Sequence, residues 1–206
     1  MFISGVPSFF LFLTLWICTA FCIRVSGSHF NAAISFAFSL KKDTGNLSRK
    51  MAIWYMVFQC AGSLLAGFTA IWLRGTVVVA EPINIVNGQN DWLRAIVQEI
   101  VGTFCFAFFY LSQTEAKTVI SEIETIQCLV LSASYIAARS IVCGNAYGAI
   151  STYGAMLNPS FAIGIQITSW FNNLGEALKF IWLYPVLPFA GSIAALFFFE
   201  FVYKKT

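Results

Sequence analysis

The sequence predicts an all-α membrane protein in which five transmembrane helices and two re-entrant half-helices form an inverted repeat. Two observations support this fold class. Hydrophobic residues make up 59% of the 206-residue chain and charged residues only 10%, against about a quarter charged in soluble domains. In addition, two stretches of sequence each occur twice, and the offset between the two copies is nearly the same for both stretches. In each copy, one of these stretches precedes a short apolar segment.

The apolar stretches assign the helices. A membrane span needs about 20 residues. Five stretches reach that length: 4–23, 51–73, 93–112, 123–143 and 180–203. The apolar segments 31–40 and 158–168 are shorter, and ten helical residues rise only about 15 Å, half the hydrocarbon thickness. These two segments therefore predict half-helices that enter the membrane without crossing it.

The basic residues predict the orientation. If the 24–50 loop is cytoplasmic, eight Lys and Arg residues lie on that side, and four lie on the opposite side or in the spans. This excess follows the positive-inside rule and places the N-terminus outside and the C-terminus inside. The net charge of +3 is too small to indicate a nucleic-acid partner.

The chain repeats itself once. Residues 27–33 (GSHFNAA) align with residues 154–160 (GAMLNPS) at an offset of 127, and residues 61–64 align with residues 190–193 at an offset of 129. Three spans separate the two copies, and this odd number inverts the second copy relative to the first. We expect one domain, 1–206, with a truncated first repeat in 1–75 and a second repeat in 92–206.

The start of each half-helix is the expected functional site. A half-helix that begins near the midplane presents free N–H groups and the positive end of its dipole there. Asparagine caps such an end, and its amide can also donate to a passing solute. An alternative is that both asparagines only cap. Inverted repeats with broken helices are a transport architecture. The predicted pore motif is Asn31, Ala32, Ala33, Asn158, Pro159 and Ser160.

The histidine and cysteine content excludes several kinds of metal and catalytic site. His29 is the only histidine, which excludes a multi-histidine metal site, and the six cysteines form no CxxC pair. No Cys/His or Ser/His/Asp constellation indicates an enzyme, so we expect no catalytic residue, cofactor or metal. The small-xxx-small pairs Gly62–Ala66 and Gly191–Ala195 predict close helix contacts.

The pattern resembles the aquaporin, or major intrinsic protein, family, whose signature is a duplicated Asn-Pro-Ala. Residues 26–31 (SGSHFN) look like the first family loop, and residues 154–159 look like the second. Residues 99–104 (EIVGTF) look like the acidic start of the helix that opens each family repeat. The resemblance covers most of the chain. It implies a multi-pass protein, of an organelle or another membrane, that passively conducts water or a small neutral solute such as glycerol, ammonia or hydrogen peroxide.

The sequence departs from the family at its motifs and at its constriction. Ala32 and Ser160 replace the usual residues, as in the divergent, unorthodox branch of the family. An arginine usually follows the second motif, and the family's pore histidine would fall near 144–146, where no histidine stands. We therefore expect an apolar constriction that is narrow or closed. The constriction candidates are Phe161, Ala155, Leu11 and Arg139.

Three residues allow more than one role: Glu99, Arg139 and Phe161. In the family, the acid at Glu99 accepts hydrogen bonds from the half-helix loop, so a structural role is expected above a transport role. Arg139 lies inside the fourth span, where an arginine is a functional-site hypothesis; it lines the pore, pairs with an acid or extends to the interface. Phe161 is either a hydrophobic gate or a plug.

The position of Glu99 also predicts that the first family helix is absent. Its counterpart in the first repeat would lie 127 residues earlier, ahead of Met1. The open flank would be covered by lipid, by further copies in a homo-oligomer or by other membrane subunits, at the faces of the 4–23 and 180–203 spans. The alternative function is therefore a non-conducting, aquaporin-derived structural subunit of a larger membrane protein complex.

Overall fold

The structure is a computed structural model that describes residues 8–41, 47–74, 85–86, 89–90, 92–143, 155–171 and 177–205. The helices in these ranges are α1 (Ser8–Ser26), α2 (Ala32–Leu40), α3 (Arg49–Arg74), α4 (Trp92–Gln113), α5 (Glu124–Cys143), α6 (Pro159–Phe171) and α7 (Leu187–Phe201). Short 3₁₀ helices cover Ala177–Phe180 and Tyr203–Lys205. Two-residue strands, β1 (Ile85–Val86) and β2 (Gln89–Asn90), pair antiparallel.

The helix lengths confirm the predicted membrane architecture. Five helices, α1, α3, α4, α5 and α7, are long and apolar enough to cross a membrane. The half-helices α2 and α6 have 9 and 13 residues. The last helix begins later than predicted, at Leu187 instead of 180, because Pro185 and Pro188 interrupt the chain there and Pro188 fits the first helical turn. Residues 177–180 form a 3₁₀ helix instead.

α4 is the central helix of the bundle. It packs along α7 and α5, while α1 packs on α5, and α3 packs on α6. Two glycines permit the closest approaches. A Cβ added to Gly191 of α7 would lie 2.4 Å from the Ile100 carbonyl oxygen of α4, and one added to Gly164 of α6 would lie 1.9 Å from Ser63 Oγ of α3. Gly191 thus makes the close contact that its small-residue pair predicts.

The Gly62–Ala66 pair does not make the contact that we predicted for it. A Cβ added to Gly62 meets nothing within 4 Å, and both residues are exposed. No residue in the most apolar part of α3 is buried, whereas 50% of the residues in the most apolar part of α4 are buried. The described part of the chain therefore provides no helix for this face of α3.

An ion cluster joins the end of α2 and the C-terminal 3₁₀ helix to the α4–α5 loop. Lys41 Nζ lies 2.6 Å from Glu115 Oε2, and Lys204 Nζ lies 3.2 Å from Glu115 Oε1. The Lys41 side chain is only 5% exposed, and its ammonium lies over the Phe38 and Phe199 rings. The hydrogen bond from Lys41 lowers the pKa of Glu115 below its ordinary value of 4.5, although partial burial opposes it.

We expect Glu115→Gln to lower the free energy of unfolding by about 3 kcal/mol, because it leaves the buried Lys41 ammonium without its carboxylate. A lowered folded-state pKa stabilises the protein above the unfolded value of 4.5, and this stabilisation is lost as the pH falls through the folded-state value. Thermal unfolding in detergent across acidic and neutral pH checks both effects, with the exposed Glu122→Gln as control. Equal stability of wild type and Glu115→Gln at neutral pH would contradict this role.

Candidate functional site

The two half-helices begin at asparagines that cap them. Asn31 Oδ1 accepts a hydrogen bond from the backbone N–H of Ala33 at 2.8 Å. Asn158 Oδ1 accepts one from the backbone N–H of Ser160 at 3.1 Å. Asparagine satisfies a free N–H of the first turn in this way, and Pro159 stands at the first position of α6, where no N–H is needed. Both half-helices therefore start where the sequence predicts.

The same asparagines hold the two loops together by a crossed pair of hydrogen bonds. Asn31 Nδ2 donates to the Leu157 carbonyl at 2.7 Å, and Asn158 Nδ2 donates to the Phe30 carbonyl at 2.9 Å. Phe30 and Leu157 stand 127 residues apart, and both have positive φ, 43° and 54°, which is uncommon for bulky residues. Each loop thus stabilises the strained backbone of the other.

The crossed hydrogen bonds use only one of the two amide N–H groups of each asparagine. A carboxamide has two N–H donors, and each asparagine uses one of them between the loops. Both asparagines line a cavity of about 190 Å³ bounded by α1, α4 and α5, which we call the pore cavity. Each asparagine therefore lies at the wall of this cavity and has one amide N–H beyond the one that joins the loops.

Three of the four constriction candidates line the pore cavity: Leu11, Arg139 and Phe161. Ala155 does not line it, since it is 1% exposed and packs in the core with Leu157. The segment 144–146, where the family's histidine would fall, lies outside the described residues. All four motif residues after the asparagines are buried: Ala32, Ala33, Pro159 and Ser160.

Glu99 supports the second loop, as the resemblance implies. Its side chain is fully buried, and its two carboxylate oxygens accept hydrogen bonds from the backbone N–H groups of Met156 and Leu157, the latter at 2.9 Å. The positive charge of Arg139 also interacts electrostatically with the Glu99 carboxylate. Glu99 therefore holds the strained segment before Asn158, and we assign it a positioning role.

Most of the polar side chains that line the pore cavity were not predicted from the sequence. Tyr135 Oη donates to the Met156 carbonyl at 3.3 Å, and His29 reaches the cavity from the first loop. The spacing of Ser132, Tyr135 and Arg139 places them on one face of α5, a pattern that is visible in the sequence. No such periodic signal marks His29, which stands in a loop.

Taken together, the fold and this geometry define a multi-pass membrane protein whose two half-helices meet end to end within an inverted repeat. The family profile described as "Major intrinsic protein" matches residues 8–199. The chain belongs to the major intrinsic protein family, whose members are channels and not enzymes.

Individual relatives agree with this family. The chain is 26% identical to "Probable aquaporin TIP1-2" of Oryza sativa subsp. japonica, over 93% of this chain and 68% of that protein. It is 28% identical to "Probable aquaporin TIP3-2" of Arabidopsis thaliana, over 92% of this chain and 64% of that protein. With "Aquaporin PIP1-5" of Zea mays it shares 29% identity, over 86% of this chain and 58% of that protein. The chain thus spans about two thirds or less of the length of these relatives.

A solved structure has the same fold. The aquaglyceroporin from Plasmodium falciparum superposes with a TM-score of 0.70 at 17% sequence identity, covering 97% of this chain and 84% of that one. At this identity the likeness concerns the fold alone.

Proposed function

We propose that the chain is a passive channel for water or a small neutral solute, with Asn31 and Asn158 as the central donors. The observation that supports this function is the N–H that each amide keeps after the two loops are joined. Two half-helices that face each other with their N-termini disfavour cations. A neutral solute with a lone pair, such as water, glycerol or ammonia, can accept a hydrogen bond from these amides without electrostatic repulsion from the helix N-termini.

We propose that Phe161 is the constriction of this channel. It stands on the first turn of α6, three residues after Asn158, and it lines the pore cavity together with Leu11. Both side chains are apolar and offer no hydrogen bond to a solute. A hydrophobic constriction can close a pore by dewetting. Arg139 lines the same cavity and adds a positive charge that further disfavours cations.

A second candidate function is a non-conducting structural subunit of a larger membrane assembly. One observation favours it: a further cavity of about 650 Å³ lies beside Phe161 and Asn158, along the uncovered face of α3. A structural subunit would present such a face to a neighbour, and Phe161 would keep its pore closed. The two candidates differ in whether the purified chain conducts.

Flux measurements on liposomes that contain the purified chain test the channel. We expect wild-type liposomes to swell faster than protein-free liposomes in a water or glycerol gradient. We expect Phe161→Ala to raise that flux several-fold, because it removes the apolar bulk from the pore cavity. Ile165→Ala is the matched control, since Ile165 lies on the same half-helix and lines only the larger cavity. Stopped-flow light scattering gives both rates.

Two results would overturn the proposal. Flux at the protein-free level in both wild type and Phe161→Ala would exclude the channel and leave the structural subunit. Equal increases in Phe161→Ala and Ile165→Ala would show that Phe161 is not the constriction.

A further inference from the structure

One face of α4 carries side chains that contact both loops. Glu99 accepts hydrogen bonds from the second loop, at Met156 and Leu157. Tyr110 stands eleven residues after Glu99, and at 3.6 residues per turn this separation is close to three turns. The two side chains therefore lie on the same face of α4, about 16 Å apart along its axis. Both are buried, with exposed fractions of 0% and 2%.

Tyr110 makes two contacts with the first loop. Its hydroxyl donates a hydrogen bond to the Gly27 carbonyl at 2.5 Å. Its ring meets the His29 ring at 84°, with the two centroids 5.8 Å apart. The Tyr110 ring also packs against Phe38 and Phe106. Because rings pack on several sides of it, the Tyr110 side chain keeps its hydroxyl directed toward Gly27.

The backbone of the first loop is strained. Gly27, Ser28 and Phe30 have positive φ values of 73°, 54° and 43°. Glycine adopts this region readily, but other residues remain in it only where the surrounding structure holds them. Ser28 Oγ donates to the Thr19 carbonyl at 2.9 Å, which attaches the loop to α1. Hydrogen bonds to α1 and α4 thus hold the segment directly before Asn31.

The attachment at Gly27 affects both pore asparagines. Asn31 follows four residues after Gly27 and caps α2. Asn158 donates to the carbonyl of Phe30, which lies between them. A shift of the loop at Gly27 would therefore move Asn31 and weaken the hydrogen bond from Asn158. Tyr110 itself lines the pore cavity together with both asparagines, so this shift would also change the wall of the cavity.

We propose that Tyr110 is a positioning residue of the channel. Its hydroxyl holds the Gly27 carbonyl, and this hydrogen bond fixes the first loop so that Asn31 and Asn158 keep a constant separation at the wall of the pore cavity. α4 is then the common support of both loops, through Tyr110 for the first and Glu99 for the second. The effect of Tyr110 on flux rests on the proposed channel function, whereas its effect on the loop does not.

Tyr110→Phe tests the hydroxyl separately from the ring. Phenylalanine keeps the ring contacts, so we expect the variant to fold. The Gly27 carbonyl loses its donor, and we expect the backbone amides of residues 27–35 to exchange hydrogen at least about fivefold faster, because a buried acceptor is left unsatisfied. Hydrogen–deuterium exchange of the full chain in phosphatidylcholine liposomes, read by mass spectrometry, gives the rates. The amides of α5 are the internal reference and should exchange as in the wild type.

Water flux through the same liposomes tests the consequence for the channel. We expect Tyr110→Phe to lower the flux per folded chain at least about threefold, because the two donors are no longer held in place. A purely structural role would lower the unfolding midpoint and leave the flux per folded chain unchanged.

Tyr55→Phe is the matched control for both measurements. Tyr55 also packs against His29, with the ring centroids 5.9 Å apart. Among the hydrogen bonds of the described residues, none joins the Tyr55 hydroxyl to the first loop, whereas Tyr110 makes one. We therefore expect exchange and flux of Tyr55→Phe to stay close to those of the wild type.

Three outcomes would overturn the proposal. Unchanged exchange of residues 27–35 in Tyr110→Phe would show that the hydroxyl does not hold the loop. Equal acceleration in Tyr110→Phe and Tyr55→Phe would assign the effect to packing around His29. Faster exchange with unchanged flux per folded chain would show that the position of the loop does not control the pore. Absence of flux in the wild type would instead overturn the channel function, while the exchange rates would still decide whether Tyr110 holds the loop.

Discussion

Glu99→Ala is expected to lower the free energy of unfolding by about 3 to 5 kcal/mol, because it removes a buried charged partner. The substitution leaves the N–H groups of Met156 and Leu157 without an acceptor. It also removes the carboxylate with which the positive charge of Arg139 interacts. The loop before Asn158 holds Leu157 at a φ of 54°, and we expect this segment to rearrange first.

The unfolding midpoint in detergent measures the effect. A loss of this size lowers the midpoint by about 10 °C or more. Glu99→Gln keeps the shape and one acceptor oxygen, so its midpoint should lie between those of wild type and Glu99→Ala. Val97→Ala, on an exposed position of the same helix, is the control and should change the midpoint little. A wild-type midpoint for Glu99→Ala would show that the loop does not depend on the carboxylate.

Much of this fold follows from local features of the sequence. Hydropathy and length separate the spans from the half-helices, because a membrane imposes one thickness on every helix that crosses it. The starts of α2 and α6 follow from Asn31 and Asn158, since capping depends on residues within one turn. The position of Glu99 came from the family resemblance, because the Met156 and Leu157 N–H groups that it binds lie more than fifty residues away.

The features that the sequence does not predict depend on contacts between distant segments. The crossed bonds join Asn31 to Leu157 and Asn158 to Phe30, and no local pattern specifies which carbonyl an amide will meet. Ala155 was expected at the constriction, but its position relative to the pore cavity depends on how the loop turns at Leu157. The predicted helix contact at Gly62 was wrong for a similar reason, because a small residue permits a helix contact but does not determine whether a helix lies there.

Gly191→Ala and Gly62→Ala are expected to change stability in opposite directions, although the two glycines occupy equivalent positions of the repeat. Both lie within helices, so alanine favours each helix by up to about 1 kcal/mol. At Gly191 the added Cβ would lie 2.4 Å from the Ile100 carbonyl and 3.0 Å from the Phe104 backbone nitrogen. Because backbone atoms cannot move aside cheaply, α4 and α7 must separate, at a cost of about 1 to 3 kcal/mol or more.

Gly62→Ala has no such cost in the isolated chain, since nothing lies within 4 Å of its Cβ. Unfolding midpoints of the two variants in detergent give the comparison, and the helix-propensity gain common to both cancels in their difference. Equal losses at the two positions would mean that α3 already has a close neighbour at Gly62. The sign of the Gly62→Ala effect therefore reports whether a helix packs against α3 at Gly62.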